Sequence, residues 1–149
     1  MKSFYVIVFL LLISSISSKT KAEWKGRSIY QVLTDRFART KDTGTCNYSK
    51  YCGGSYKGIQ NKLDYIKGMG FNAIWISPIV ENTPDSYHGY HLTNLYKLNT
   101  HFGSEDDLKN LITACHNKDI WVMVDVVANH VGPVGTDYSK ITPFNKAEH

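Results

Sequence analysis

The stretch from Asp119 to His130 reads D-I-W-V-M-V-D-V-V-A-N-H and decides the fold. From Ile120 to Val127 it is apolar and rich in β-branched residues, and Asp125 is its only charged residue. This run is too short to span a membrane and is typical of a strand that is buried on both faces of a parallel sheet. Ligands of parallel α/β proteins bind at the carboxyl ends of strands, where Asn129 and His130 follow. The stretch therefore predicts a strand that presents polar groups to a site. A purely structural role for Asp125 and Asn129, in holding neighbouring turns, stays open.

The sequence on the amino-terminal side of this run alternates between strand and helix patterns. Strands are predicted over residues 28–33 and 71–76, and helices over residues 57–67 and from an N-cap at Ser104 to about Lys118. Residues 38–55 and 81–99 are predicted to be loops, and no regular element is predicted after Gly132. The order strand, helix, strand, helix, strand predicts a right-handed β-α-β-α-β series in the α/β class. No glycine-rich nucleotide-binding motif follows a strand, so nucleotide binding, a common function of such a sheet, is not expected.

Residues 1–22 have the pattern of a secretory signal peptide. A basic start is followed by ten apolar residues, 4–13, and then by a serine-rich stretch, with cleavage predicted after Ser18 or Ala22. The sequence therefore predicts a secreted, extracellular protein that has no membrane segment after cleavage. Removing residues 1–22 lowers the formal net charge from +4 to +1, because three lysines are lost. No basic block is left to follow a phosphate backbone, so a nucleic-acid partner is not expected.

The three cysteines fit an exported protein. Cys46 and Cys52 enclose a short loop that either a disulfide or, less readily, a metal could close. Cys115 lies on the apolar face of the second predicted helix and is expected to be a buried free thiol. Asn47 begins the N-glycosylation sequon Asn-Tyr-Ser inside the Cys46–Cys52 loop.

The loop after the second strand is dense in aromatic and imidazole side chains, with the sequence Ser86-Tyr87-His88-Gly89-Tyr90-His91. Sugars offer apolar C–H faces for stacking and hydroxyls for hydrogen bonds, so this composition favours a sugar site. A metal site of His88, His91 and His130 is a second interpretation, although no helical pair of histidines supports it. A surface loop without function is the third.

Several of these stretches together resemble one family. They are residues 29–39 (I-Y-Q-V-L-T-D-R-F-A-R), 46–54, 63–71, 73–76 (A-I-W-I), 87–90 (Y-H-G-Y) and 124–130 (V-D-V-V-A-N-H). They are similar to the amino-terminal part of secreted, fungal-type α-amylases of glycoside hydrolase family 13. The resemblance runs from about Glu23 to His149.

The resemblance implies the first three β/α units of a (β/α)₈ TIM barrel over residues 23–132, with an inserted calcium-binding subdomain beginning at residues 133–149. It implies that His88, Tyr90 and His130 bind the sugar, that Asp125 supports the active site, and that Asn129 is a Ca²⁺ ligand. It also implies a Cys46–Cys52 disulfide. His91 stands where such enzymes carry a tryptophan, so the stacking platform is expected to be weaker.

By that resemblance the whole enzyme would cleave internal α-1,4-glucosidic bonds of starch, glycogen or maltooligosaccharides as a monomer, with retention of configuration. Retaining glycosidases use two carboxyl groups about 5–5.5 Å apart, and in this family these follow later strands. The catalytic carboxylates are therefore expected beyond His149, and the 149-residue chain is expected to be an inactive, poorly folded fragment. A secreted non-catalytic glucan-binding protein is one alternative, and an α-glucosidase or transglycosidase with the same barrel is another.

Overall fold

The computed structural model describes residues 19–41 and 44–149. The predicted signal peptide therefore falls mostly outside the described residues. The helices are α1 (Lys21–Trp24), α2 (Thr34–Phe37), α3 (Tyr56–Asn61), α4 (Leu63–Gly68) and α5 (Glu105–Asn117), and a short 3₁₀ helix spans Tyr138–Lys140. The strands are β1 (Ile29–Val32), β2 (Ala73–Ile76), β3 (Val80–Asn82), β4 (Leu92–Leu98) and β5 (Trp121–Val124).

Three of the strands form a parallel sheet in the order β1-β2-β5, with Ile76 paired to Val32 on one side and to Val124 on the other. This is the predicted β-α-β-α-β series. Helices α3 and α4 connect β1 to β2, and α5 leads into β5. Because all three strands run in one direction, their carboxyl ends meet along one edge of the sheet.

The core lies between this sheet and the helices. It is formed by buried side chains of β1, β2, α3, α4 and α5 and of the segments just before α5 and β5: Val32, Tyr56, Ile59, Leu63, Ile66, Ile74, Ile76, Phe102, Leu108, Leu111, Cys115 and Ile120. Cys115 is the buried free thiol that the sequence predicts, and burial raises its pKa to about 12. A thiol with that pKa stays protonated and unreactive at neutral pH.

The helix boundaries follow local rules. Ser104 caps α5 by accepting a hydrogen bond from the Asp107 backbone N–H at 3.1 Å, while the Asp107 carboxylate accepts from the Ser104 backbone N–H at 2.9 Å. The predicted helix over residues 57–67 is instead two helices separated at Lys62, whose backbone has φ −110° and ψ 10°. The predicted stop is present, since Gly70 follows α4 with φ +88°.

Three further predictions about structure are wrong. Residues 81–99 are not a plain loop, because β3 and β4 pair there as an irregular antiparallel hairpin. The strand predicted over residues 120–127 is shorter, and every residue of β5 is only partly buried, since no strand covers its far side in the part of the chain that is described. Residues after Gly132 include the 3₁₀ helix, and Thr142 pairs with Asn94 of β4, which buries Ile141.

Two helical glycines provide a matched test of this packing. A Cβ atom on Gly58 of α3 would lie 1.9 Å from the backbone oxygen of Ala38, whereas one on Gly68 of α4 would meet nothing within 4 Å. Gly58→Ala is therefore expected to lower the free energy of unfolding by about 1–3 kcal/mol through overpacking. Gly68→Ala is expected to raise it by up to about 1 kcal/mol, because alanine favours a helix over glycine. Urea unfolding of the two variants, made in the hybrid protein described under Proposed function, measures both changes, and equal midpoints would contradict the close approach of α3 to Ala38.

Candidate functional site

The site lies at the carboxyl edge of the parallel sheet. Asp125 directly follows β5, and its backbone N–H still donates to the Ile76 carbonyl at 3.0 Å, so this residue is held by the sheet. The hydroxyl of Tyr90 donates to Oδ2 of Asp125 at 2.6 Å. A hydrogen bond to a carboxylate is short and strong, and it fixes the position of both groups. It also raises the pKa of Tyr90 to about 12, with burial and the charge of Asp125 as further causes.

His130 joins the same cluster from the segment after β5. One of its ring nitrogens, Nε2, lies 2.8 Å from the backbone oxygen of Tyr90, and the other, Nδ1, lies 2.9 Å from Nδ2 of Asn129. Both Asn129 and His130 are exposed. The imidazole is thus oriented from two sides while its face remains open to solvent.

His88 packs against Tyr90 from the other side. The two rings are nearly parallel, with centroids 5.9 Å apart, and Nδ1 of His88 accepts a hydrogen bond from the Tyr90 backbone N–H at 3.0 Å. Burial lowers the pKa of His88, and the neighbouring His91 lowers it further. His88 therefore remains a neutral hydrogen-bonding group at a pH where an ordinary histidine begins to ionise.

His91 holds the loop from within. Its Nδ1 lies 2.9 Å from the Ser86 hydroxyl, and its ring meets His88 edge-on at 4.7 Å between centroids. The three-histidine metal interpretation gains no support, since no group of three or more His, Cys, Asp or Glu side chains in residues 19–41 and 44–149 is placed to hold a metal ion.

Sequence reasoning brings the main residues together but misses their supports. His88, Tyr90, Asp125 and His130 are joined as one hydrogen-bonded and stacked cluster. A pocket of about 320 Å³ opens beside Tyr90, between the ends of β1 and β2. Arg36, Asp35 and Tyr51 were not predicted as site residues, although they contact the same loop or its neighbour. The signals for Asp35 and Arg36 were their place shortly after the first strand and inside the resemblance stretch of residues 29–39.

The Cys46–Cys52 disulfide is formed, so the metal interpretation of these two cysteines is wrong. The segment between them is tied to the end of β1, because the backbone N–H groups of Cys52 and Gly53 donate to the buried carboxylate of Asp35. The Cys46–Cys52 loop therefore lies next to the residues that follow the first strand.

The pattern over residues 31–146 matches the model of the alpha-amylase catalytic domain. The chain belongs to the alpha-amylase family. The chain is 49% identical to the alpha-amylase of Saccharomycopsis fibuligera over 99% of this chain and 33% of that relative. It is 51% identical to alpha-amylase 1 of Lipomyces kononenkoae over 91% of this chain and 24% of that protein.

Solved structures of the family agree. An alpha-amylase from Malbranchea cinnamomea superimposes with a TM-score of 0.82 at 49% identity, over 88% of this chain and 31% of that one. An alpha-amylase from Geobacillus thermoleovorans, solved in complex with acarbose, superimposes with a TM-score of 0.72 at 42% identity, over 80% of this chain and 26% of that chain. This chain thus spans a third or less of the length of these family members.

Proposed function

We propose that the cluster of His88, Tyr90, Asp125 and His130 binds an α-1,4-linked glucan and serves an α-amylase that hydrolyses starch, glycogen or maltooligosaccharides. The observation that carries the proposal is the Tyr90 hydroxyl bonded to Asp125 at 2.6 Å, with His130 2.8 Å from the Tyr90 carbonyl, at the carboxyl edge of a parallel sheet. The activity of a whole amylase is part of the proposal, because this chain spans only a third or less of its relatives.

The chemistry of the cluster suits a sugar. Tyr90 and His88 supply an aromatic surface for the apolar face of a pyranose ring. His88 can donate its Nε2–H to a sugar hydroxyl, because its Nδ1 already accepts from the Tyr90 backbone N–H and its lowered pKa keeps the ring neutral. His130, whose two ring nitrogens are engaged by the Tyr90 carbonyl and by Asn129, offers its exposed ring to the sugar. Asp125 is engaged by Tyr90, which suits a supporting role better than that of a nucleophile.

We infer that β1, β2 and β5 are the first three strands of a (β/α)₈ barrel and that residues 133–149 begin the inserted subdomain. The partly exposed face of β5 and the exposed Val126, 78% accessible, support this, because further barrel strands would cover them. A retaining glycosidase also needs two carboxyl groups about 5–5.5 Å apart. Asp35 is buried and bound to backbone N–H groups, so it does not supply one. The chain by itself is therefore proposed to be inactive.

A segment swap tests the proposed function. The hybrid enzyme is the Saccharomycopsis fibuligera alpha-amylase in which the segment matched by this chain is replaced with this chain's own sequence. The hybrid is expected to hydrolyse starch and to be inhibited by acarbose, while the isolated chain hydrolyses nothing. A folded hybrid that neither binds maltooligosaccharides nor cleaves starch would reject the proposal. Binding of maltooligosaccharides by a folded isolated chain, combined with an inactive hybrid, would favour the glucan-binding alternative.

The chemistry of Asn129 fits one ligand of a calcium ion. Its Nδ2 is engaged by His130, so the amide oxygen, a hard donor that Ca²⁺ prefers, is the atom available to a cation. The remaining ligands would come from outside the described residues, which contain no carboxylate and imidazole cluster for a metal. Ca²⁺ would stabilise the loop after β5 and would thereby hold His130.

Removal of calcium tests this role. EDTA is expected to lower the thermal unfolding temperature of the hybrid, and Asn129→Ala is expected to raise the calcium concentration needed for full stability about tenfold or more. Asn110→Ala, at an exposed position of α5, is the control and is expected to change neither value. An Asn129→Ala hybrid with an unchanged calcium requirement would exclude this ligand.

The chain is proposed to be secreted and to carry an N-glycan at Asn47. Residues 47–49 are exposed, and Oδ1 of Asn47 accepts from the Ser49 backbone N–H at 3.0 Å. Across residues 19–41 and 44–149, no helix is long and apolar enough to cross a bilayer. Cleavage after Ser18 would leave α1 intact, whereas cleavage after Ala22 would cut it.

Expression in a yeast secretory host tests both the secretion of the chain and the glycosylation of Asn47. The secreted chain is expected to lose the mass of a glycan on treatment with an endoglycosidase, and Ser49→Ala is expected to abolish this shift. Ser139→Ala is a matched exposed substitution outside any sequon and should leave the glycan in place. A secreted chain of unglycosylated mass would contradict the modification.

A further inference from the structure

The Cys46–Cys52 loop contacts the loop that carries the sugar-binding residues, here called the sugar loop and defined as residues 85–91. The Tyr51 hydroxyl donates to the backbone oxygen of Ser86 at 3.2 Å, and the Lys50 ammonium lies 3.7 Å from the Asp85 carboxylate. In addition, the guanidinium carbon of Arg36 lies 3.6 Å from the centre of the Tyr87 ring. The two loops are thus joined side by side, with Arg36 between them.

Arg36 is itself held firmly. It donates to the Asp35 carboxylate at 2.8 Å, to the Lys50 carbonyl at 3.0 Å and to the Tyr48 carbonyl at 2.7 Å. It also contacts the sulfur atoms of Cys46 and Cys52. Its side chain is 18% exposed. These bonds occupy the guanidinium in its plane, so the face of the group is what remains to stack on Tyr87.

Tyr87 in turn contacts His88. The two rings meet edge to face with centroids 5.3 Å apart, and His88 then lies nearly parallel to Tyr90. The ring of His88 is therefore in contact with Tyr87, Tyr90 and His91. Tyr90 is fixed through Asp125, and the ring of Tyr87 stacks on the guanidinium of Arg36.

We propose that Arg36 is a positioning residue, which holds Tyr87 against the Cys46–Cys52 loop and thereby sets the orientation of His88 at the sugar-binding edge. The geometric part of the proposal is independent of what the site binds, and only its effect on ligand affinity rests on the proposed function. A planar guanidinium can bond three acceptors in its plane and stack at the same time, which a lysine ammonium cannot do.

Arg27 provides a matched control. Its guanidinium also stacks on an aromatic ring, 3.8 Å from the centre of Trp121, and also pairs with a neighbouring carboxylate, that of Asp119 at 3.1 Å. Its side chain is 15% exposed, close to the value for Arg36. Trp121 begins β5, so this contact lies at the opposite end of the sheet from His88.

The first test is the pKa of His88, measured by NMR on the full chain and on the hybrid with labelled histidine. Arg36→Lys keeps the positive charge but releases Tyr87, so water should reach His88 and its pKa should rise toward 6.5. Tyr87→Leu should have the same effect, whereas Tyr87→Phe and Arg27→Lys should have none. His91, the neighbouring titratable ring, is retained in all four variants. An unchanged His88 pKa in both Arg36→Lys and Tyr87→Leu would overturn the proposal.

The second test separates positioning from stability in the hybrid. A misoriented His88 should raise the KM for a maltooligosaccharide about fivefold, the effect of a lost cation–π contact, with kcat nearly unchanged. A merely unstable enzyme would show a lower kcat from a smaller folded fraction and an unchanged KM. The double variant Arg36→Lys/Tyr87→Leu should be no worse than either single one, since both break the same contact.

Different results would contradict the positioning role of Arg36 and the proposed sugar-binding function. Additive effects of the two substitutions on KM, or a loss of folded structure in Arg36→Lys that Arg27→Lys does not share, would overturn the positioning role. A wild-type hybrid that binds no sugar would overturn the proposed function, while the NMR titration of His88 would still decide the role of Arg36.

Discussion

Replacing Asp125 by alanine in the hybrid is expected to lower kcat/KM for starch by about 10- to 100-fold, the range that corresponds to losing a hydrogen bond to a charged group. The Tyr90 hydroxyl donates to Asp125 at 2.6 Å, and the Tyr90 carbonyl lies 2.8 Å from His130. Loss of the carboxylate therefore frees the ring that packs on His88 and the backbone that orients His130. The effect is expected to be large because one substitution loosens the whole sugar-binding cluster.

Tyr90→Phe separates the hydrogen bond from the ring. It removes the donor but keeps the aromatic surface, so it should lower kcat/KM by a similar factor, and the double variant should fall little further. Asp64→Ala is the control, since that carboxylate is 86% exposed and lies on α4. Measurement of kcat/KM for the hybrids with Asp125→Ala, Tyr90→Phe, both substitutions together or Asp64→Ala tests this expectation. A Tyr90→Phe hybrid with wild-type activity would mean that the Tyr90–Asp125 bond does not support the site.

The same bond has a predicted pH dependence. The pKa of Tyr90 is raised to about 12, so the folded protein favours the neutral phenol that donates to Asp125. Its contribution to stability is therefore fully present below the unfolded value of about 10 and is lost as the pH rises through about 12. Across the neutral range the bond is intact, so titration of Tyr90 does not limit activity there.

The sequence predicted the elements whose signals are local. The apolar runs gave β1, β2 and β5, and the serine-capped, amphipathic stretch gave α5. The hairpin of β3 and β4 escaped prediction because its pairing is irregular, with register shifts on both sides of Glu81. The predicted full burial of β5 failed for a different reason. The apolar composition of β5 is that of a strand with neighbours on both faces, and the described residues supply only part of those neighbours.

Some residues of the candidate site could likewise be predicted from the sequence, and others could not. His88, Tyr90 and His130 could be predicted because their residue types suit a sugar and because parallel strands bring their carboxyl ends together. Arg36 could not, since its importance depends on Tyr87, which lies 51 positions away in the sequence and 3.6 Å away in the fold. Pairings of this kind arise from tertiary packing and leave no periodic signal.

The largest effect on stability is expected from Asp35→Ala, which should lower the free energy of unfolding by about 3–5 kcal/mol, the cost of breaking a buried ion pair from one side. Asp35 is 2% exposed. Its carboxylate accepts from the backbone N–H groups of Cys52 and Gly53 and pairs with Arg36 at 2.8 Å. Its removal leaves two backbone donors and a guanidinium without their acceptor in a buried place, where unpaired polar groups are costly.

Asp64→Ala is again the matched control, because the Asp64–Lys118 pair is exposed and such pairs contribute about 1 kcal/mol or less. Urea unfolding of the hybrid, followed by tryptophan fluorescence, compares the two variants. Asp35→Asn keeps the shape and one acceptor oxygen, so it should fall between Asp35→Ala and the wild type. Equal midpoints for Asp35→Ala and Asp64→Ala would show that the Asp35 carboxylate does not hold the Cys46–Cys52 loop. Arg36 would then lack the rigid support from which it is proposed to position Tyr87 and His88.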